Sequence, residues 1–164
     1  MIRPSLEHTM MQVAHVLAQR ATCVKLAVGC VLLDVDGVVV GTGYNGVPRG
    51  CVHCTEFPCP GSKAPKGADL CQAVHAEQNA LLSPEAHRAF RCIITHAPCM
   101  RCTKLLLNTN IQEIVFWNEY NLEPQAKALW QDMGREWTHL PDQRPLPRAF
   151  IPSTFDSEAE NDRK

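Results

Sequence analysis

Three features of this 164-residue chain predict an α/β protein in which a mixed sheet carries helices on both faces. Apolar residues recur at helical spacing near the N-terminus. Two β-branched runs flank an Asp-Gly pair. Beyond them, short strand-like runs alternate with helical segments.

Taken in order, Leu6, Met10, Val13 and Leu17 form the apolar stripe of a helix expected from about Ser5 to Arg20, opened by Pro4 and Ser5. The runs 28–35 and 38–44, joined by Asp36-Gly37, read as a hairpin. The stretch 45–69 is rich in Gly, Pro and Cys and has no periodicity; so long a loop inside a compact domain is usually functional. A helix is expected over 72–82 with Ser83-Pro84 as its stop, and then a strand over 92–95. A helix from Pro98 to about Thr109, a strand over 113–117, a helix over 124–133 closed by Gly134 and a last strand over 136–140 complete the pattern. Residues 1–140 read as one domain that includes the loop 45–71. Residues 141–164, rich in Pro and charge, read as a partly disordered tail.

Composition excludes several roles. Sixteen Lys and Arg against seventeen Asp and Glu leave a net charge of -1, which rules out a polybasic coat holding nucleic acid by counterion release. Apolar runs are far too short to cross a membrane. The opening Met-Ile-Arg-Pro-Ser lacks the layout of a signal peptide, so a cytoplasmic protein is expected. Nine cysteines cannot pair completely, and in a reducing compartment such thiols are core residues, catalytic groups or metal ligands.

The chemistry concentrates in His75-Ala76-Glu77 and Pro98-Cys99-Met100-Arg101-Cys102. A Cys-x-x-Cys on the first turn of a helix aims two sulfurs at one point, where unpaired N–H groups favour thiolates. Taken alone, the pair also suits a redox couple or half of a zinc ribbon. His75 near the head of another helix supplies a third ligand, and three protein ligands leave a zinc position open for water. Glu77, two residues on, points away from the His75 direction, which makes it a poor ligand and a good proton carrier beside the metal. Cys30 and Cys92, in strands, are most simply core residues.

His-x-Glu followed by Pro-Cys-x-x-Cys is the zinc deaminase signature. With Gly43-Tyr44-Asn45-Gly46-Val47-Pro48-Arg49-Gly50, Thr22-Cys23, Val52-His53-Cys54, His75 to Ala80 and Thr95 to Cys99 in order, the chain resembles the deoxycytidylate deaminase family, its bacterial and phage members above all, over about residues 3–140. The resemblance implies the three-layer cytidine deaminase-like fold with a five-stranded mixed sheet, and a homo-oligomer, often a hexamer. It further implies catalytic zinc on His75, Cys99 and Cys102, with Glu77 as catalytic residue, in hydrolytic deamination of dCMP to dUMP. A modified deoxycytidylate such as 5-methyl-dCMP, a free nucleoside or a tRNA adenosine is the alternative substrate, and a non-enzymatic zinc module is the rival of another class. Substrate contacts implied by the resemblance are Asn45, Ala76 and Tyr120, with Lys25, Arg49 or Arg3 for the phosphate. Family members often carry a structural zinc, for which Cys23 and Cys54 match; Cys59 and Cys71 complete the set most economically, with His53 and Cys51 in reserve. Many relatives respond to dCTP, which would come with Mg, and to dTTP. Two departures stand out: Cys30 where the family strand reads Val-Gly-Ala, and Lys25 alone where several basic residues usually follow Thr-Cys.

Overall fold

The computed structural model describes residues 3–64, 70–119 and 124–140. Tyr120 and the tail from residue 141 lie outside them.

Helix α1 (Leu6–Ala18) is capped by Ser5, whose side chain accepts from the His8 N–H. Strands β1 (Gly29–Leu33) and β2 (Val39–Tyr44) form the expected antiparallel hairpin. Its turn is held by the Asp34 carboxylate, which accepts from the N–H groups of Asp36 and Val38, and by Gly37 at a φ of 80°. Helix α2 (Ala76–Leu81), strand β3 (Arg91–His96), helix α3 (Met100–Leu107), strand β4 (Glu113–Asn118), helix α4 (Pro124–Asp132) and strand β5 (Glu136–His139) follow. Gly134, at a φ of 71°, ends α4 as expected.

The strand order is β2-β1-β3-β4-β5. β1 is antiparallel to both β2 and β3, whereas β3, β4 and β5 run parallel, so the sheet is mixed. Alternation along the central strands divides the core. Val31, Leu33, Ile93 and Val115 face α1 through Met11 and Ala14. Cys30, Leu32, Cys92, Ile94, Ile114 and Phe116 pack with Ala76 and Ala80 of α2, Leu106 of α3 and Trp130 of α4. Three helices thus cover one face and α1 the other. Arg91 on β3 ties the layers by pairing with Glu7 of α1 and Glu113 of β4.

One element differs from expectation in a way that matters for the site. The helix expected over 72–82 begins only at Ala76, because Val74 is drawn into an antiparallel bridge with Gly46. Both hydrogen bonds of that bridge form, Gly46 N–H to the Val74 carbonyl and Val74 N–H to the Gly46 carbonyl. His75 is consequently the N-cap residue rather than an interior one. Among the described residues no helix is long and apolar enough to cross a membrane.

Candidate metal and catalytic site

Two helix starts meet at the carboxyl end of β3. α2 begins after His75 and α3 begins after Cys99, so both helices direct their free N–H ends at the same place. The approach of α2 to the sheet depends on glycine. A methyl group at Gly43 would lie 2.2 Å from the Ala76 carbonyl oxygen and 2.5 Å from the Ala80 nitrogen, so backbone rests on backbone there. Gln78 completes a capping box: its side-chain oxygen accepts from the His75 N–H at 2.8 Å, which fixes the backbone that carries the imidazole.

His75 Nδ1 sits 3.6 Å from Cys99 Sγ and 3.4 Å from Cys102 Sγ. All three ligand atoms lie within 4.8 Å of one another, and among the described residues this is the His, Cys, Asp and Glu group of that compactness. Cys102 is buried, while Cys99 and His75 are half-buried. The Cys102 thiol and the His75 imidazole hold the Cys99 thiol down to about 4. Cys102 is pushed upward by its bond to Cys99 and by burial. The bond to Cys99 also raises the His75 imidazole above its ordinary value. One sulfur is ready as a thiolate, and its two neighbours hold protons that a cation would displace. A soft-donor set of two sulfurs and one imidazole, with no fourth protein ligand in the group, fits zinc with an open position.

Glu77 is 4% exposed, and burial raises its carboxyl to about 7. Its carboxyl group also bonds to the Cys102 side chain. A carboxyl poised near neutrality beside a metal group is suited to accept and return a proton at working pH.

The remaining expected residues fall into three groups. Ala76, wholly buried, is the first residue of α2 and lies against Gly43. Asn45 is 7% exposed, and its carboxamide is engaged with backbone: Nδ2 donates to the Leu26 carbonyl at 2.7 Å and Oδ1 accepts from the Val28 N–H at 2.8 Å. This side chain therefore builds the rim out of residues 26–28 and the end of β2, and the bridge from Gly46 to Val74 sets that rim beside His75. Lys25 and Arg49 are exposed, and Lys25 Nζ donates to the Ala64 carbonyl at 3.2 Å.

Of the loop cysteines, Cys54 and Cys59 are buried free thiols hydrogen-bonded to each other, with Cys23 close enough to oppose a charge on Cys54. The Cys59 thiol is lowered, chiefly by the backbone N–H of Gln72. Cys71 is exposed and stands by Gly61, and Cys51 is exposed as well. The four expected ligands are not gathered into one compact group. His53 pairs with Glu56 at 3.6 Å. Cys30 is fully buried, with its sulfur 3.6 Å from that of Cys92, which makes both core residues of adjacent strands.

Gln78, Asn79 and Asn118 are supporting residues that sequence reasoning passed over. Asn79 Nδ2 donates to the Tyr44 carbonyl, and Asn118 Nδ2 to the Thr95 carbonyl just before the Pro98-Cys99 turn. The His-x-x-Gln spacing carries a capping-box signal that could have identified Gln78. The two asparagines bond across elements and leave no local pattern.

Similarity to known proteins agrees with this geometry. Deoxycytidylate deaminase of Schizosaccharomyces pombe is 37% identical over 139 residues, covering 80% of this chain and 43% of the relative. The chain thus spans less than half the length of that relative. Deoxycytidylate deaminase of Mycobacterium phage D29 is 36% identical over 128 residues, covering 73% of this chain and 99% of the relative. Among solved structures, dCMP deaminase of the cyanophage S-TIM5 in complex with dCMP and dUMP superposes with a TM-score of 0.68 at 23% identity, covering 85% of this chain and 100% of that one. This likeness establishes the cytidine deaminase-like α/β fold. Residues 4–118 match the family model for the cytidine and deoxycytidylate deaminase zinc-binding region, which is well over half of the sequence, and the chain belongs to that family.

Proposed function

We propose that the chain hydrolyses the 4-amino group of dCMP, giving dUMP and ammonia. The observation that carries this reading is the buried Glu77 carboxyl, poised at about 7 beside a His-Cys-Cys group open to a metal. Support for the substrate comes from the deoxycytidylate deaminases of yeast and phage that share about a third of its sequence.

His75 Nδ1 and the Cys99 and Cys102 sulfurs would hold zinc, which when bound would supply the Lewis acidity for hydrolysis at neutral pH. Glu77 accepts a proton from the attacking water and delivers it to N3 of cytosine, so that attack at C4 builds no negative charge on the ring. C4 then carries both oxygen and the amino group. Glu77 next takes the hydroxyl proton to the amino nitrogen, the C4–N4 bond breaks, and ammonia leaves with the keto group formed. Burial of Glu77 keeps bulk water from competing for these protons.

On the resemblance, Asn45 and Ala76 border the nucleoside, Lys25 and Arg49 serve the 5′-phosphate, and Tyr120, outside the described residues, is a further candidate for a substrate contact. A second, structural zinc is assigned to Cys23, Cys54 and Cys59, with Cys71 turning inward as fourth ligand. The hydrogen-bonded Cys54–Cys59 pair and the lowered Cys59 thiol support this assignment. The same reading includes one deaminase domain over residues 1–140, a cytoplasmic setting suited to nine free thiols, a homo-oligomer such as a hexamer, and dCTP (with Mg) and dTTP as effectors.

The test is turnover of dCMP, 5-methyl-dCMP, dCTP and deoxycytidine side by side on zinc-loaded protein. Preferential turnover of dCMP with release of ammonia is expected. Deoxycytidine turned over as efficiently would overturn the monophosphate assignment, and no deamination of any of the four would overturn the reaction. Metal analysis should give two zinc equivalents, falling to one in Cys54→Ala; a wild-type value of one removes the structural site.

A further inference from the structure

The helix that carries His75 and Glu77 and the strand that leads to Asn45 are joined directly by one side chain. Asn79 follows Glu77 by two residues on α2, and its Nδ2 donates to the carbonyl of Tyr44, the last residue of β2, at 2.8 Å. The two ends of this bond are anchored very differently. On the helix side, Ala76 and Ala80 are fully buried in the core, Gly43 seats the helix backbone, and Gln78 caps His75. On the strand side, Asn45 and Gly46 are buried and Gly46 is bridged to Val74, but the remaining support beyond Tyr44 comes from residues 22–28, where Val24, Lys25 and Leu26 are exposed. A bond between a firm support and a weaker one fixes the position of the weaker.

We propose that Asn79 is a positioning residue, holding the Tyr44–Gly46 segment at its working distance from Glu77. The inference rests on the reading above in which that segment borders the nucleoside. Its loss leaves the metal group intact and lets the rim move, so the effect falls on substrate binding rather than on the chemical step. A carboxamide suits the position because the Tyr44 carbonyl requires a donor. Aspartate has the same shape but, when ionised, offers only acceptors.

The experiment compares wild type with Asn79→Ala and Asn79→Asp in zinc-loaded protein at pH 8, using two readouts. Amide hydrogen exchange at Asn45–Val47 is expected to rise about tenfold in both variants, the worth of one hydrogen bond, while exchange at Glu77–Ala80 stays put. In dCMP turnover, KM is expected to rise about tenfold with kcat within about threefold and zinc content unchanged. Unchanged exchange at Asn45–Val47 would overturn the inference, as would loss of zinc in step with activity, which would mark Asn79 as a support of the metal group. If wild type itself fails to deaminate dCMP, the functional reading fails, while the exchange readout still decides whether Asn79 holds the segment.

Discussion

Replacing Glu77 with glutamine should cut turnover by orders of magnitude while making the metal-free protein more stable above neutral pH. The carboxyl is 4% exposed and is raised from 4.5 to about 7, with burial as the largest cause. Because the folded-state value lies above the unfolded one, the folded chain binds the proton more tightly. The associated stability is fully present below about pH 4.5 and is lost as pH rises through about 7. At about 1.4 kcal/mol per unit, the rise corresponds to on the order of 3 kcal/mol. Glutamine keeps the shape and never carries the charge. In zinc-stripped protein, urea unfolding should therefore place Glu77→Gln above wild type at pH 8, with a gap that shrinks as pH falls towards 4.5. In zinc-loaded protein, the same variant should bind zinc normally and lose roughly 10²–10⁴-fold or more in kcat, since both proton transfers pass through this group. Near-normal dCMP turnover in Glu77→Gln would refute the catalytic assignment. A stability gap that does not change with pH would refute the claim that burial sets the carboxyl.

Cys99→Ala removes the most acidic sulfur of the group and should lose zinc and activity together, read by metal analysis alongside turnover. Gly43→Ala forces a methyl into the Ala76 carbonyl and should cost about 3 kcal/mol in denaturant unfolding while lowering zinc content, because the displaced helix carries His75. Arg135 donates to the carbonyls of Leu106, Leu107 and Ile111 at the end of α3 and lies 5.1 Å over the Trp130 ring. Arg135→Met should lose about 2 kcal/mol of stability with kcat unchanged well below the melting temperature, since its three carbonyl partners lie past Cys102, at the end of α3 opposite its metal-facing start. His96, brought down to about 4 by burial, has the opposite sign to Glu77: its contribution is present above about pH 6.5 and is lost as pH falls through about 4. His96→Asn should accordingly flatten the acid limb of the stability curve.

The sequence already contained the elements and the metal group, because both rest on local signals. Helical spacing marked α1, Asp36-Gly37 marked the hairpin, and the Cys-x-x-Cys at the start of α3 joined His75 through a recognisable pattern. The start of α2 was misplaced because the bridge between Gly46 and Val74 is a contact across the long loop, and helix periodicity carries no trace of it. The engagement of Asn45 with Leu26 and Val28, and of Asn79 with Tyr44, is hidden for the same reason. The gathering of Cys54 with Cys59, apart from exposed Cys71, depends on the path of a loop whose one short 3-10 turn among the described residues, Pro60–Ser62, leaves no periodic pattern to predict it.

The paired hydrogen bonds between Gly46 and Val74 also act as a clasp. Everything from Val47 to Ala73 leaves and returns through one closed neck, so the segment is an excursion from a chain that is already complete at its base. The cost of closing such a neck grows only logarithmically, by about 0.6 kcal/mol for each doubling of the excursion. Changes of length between these two residues therefore cost little at the neck and leave His75 in register, so the chain can gain or shed appendages there wherever Arg49 and the cysteines of the proposed second zinc are kept.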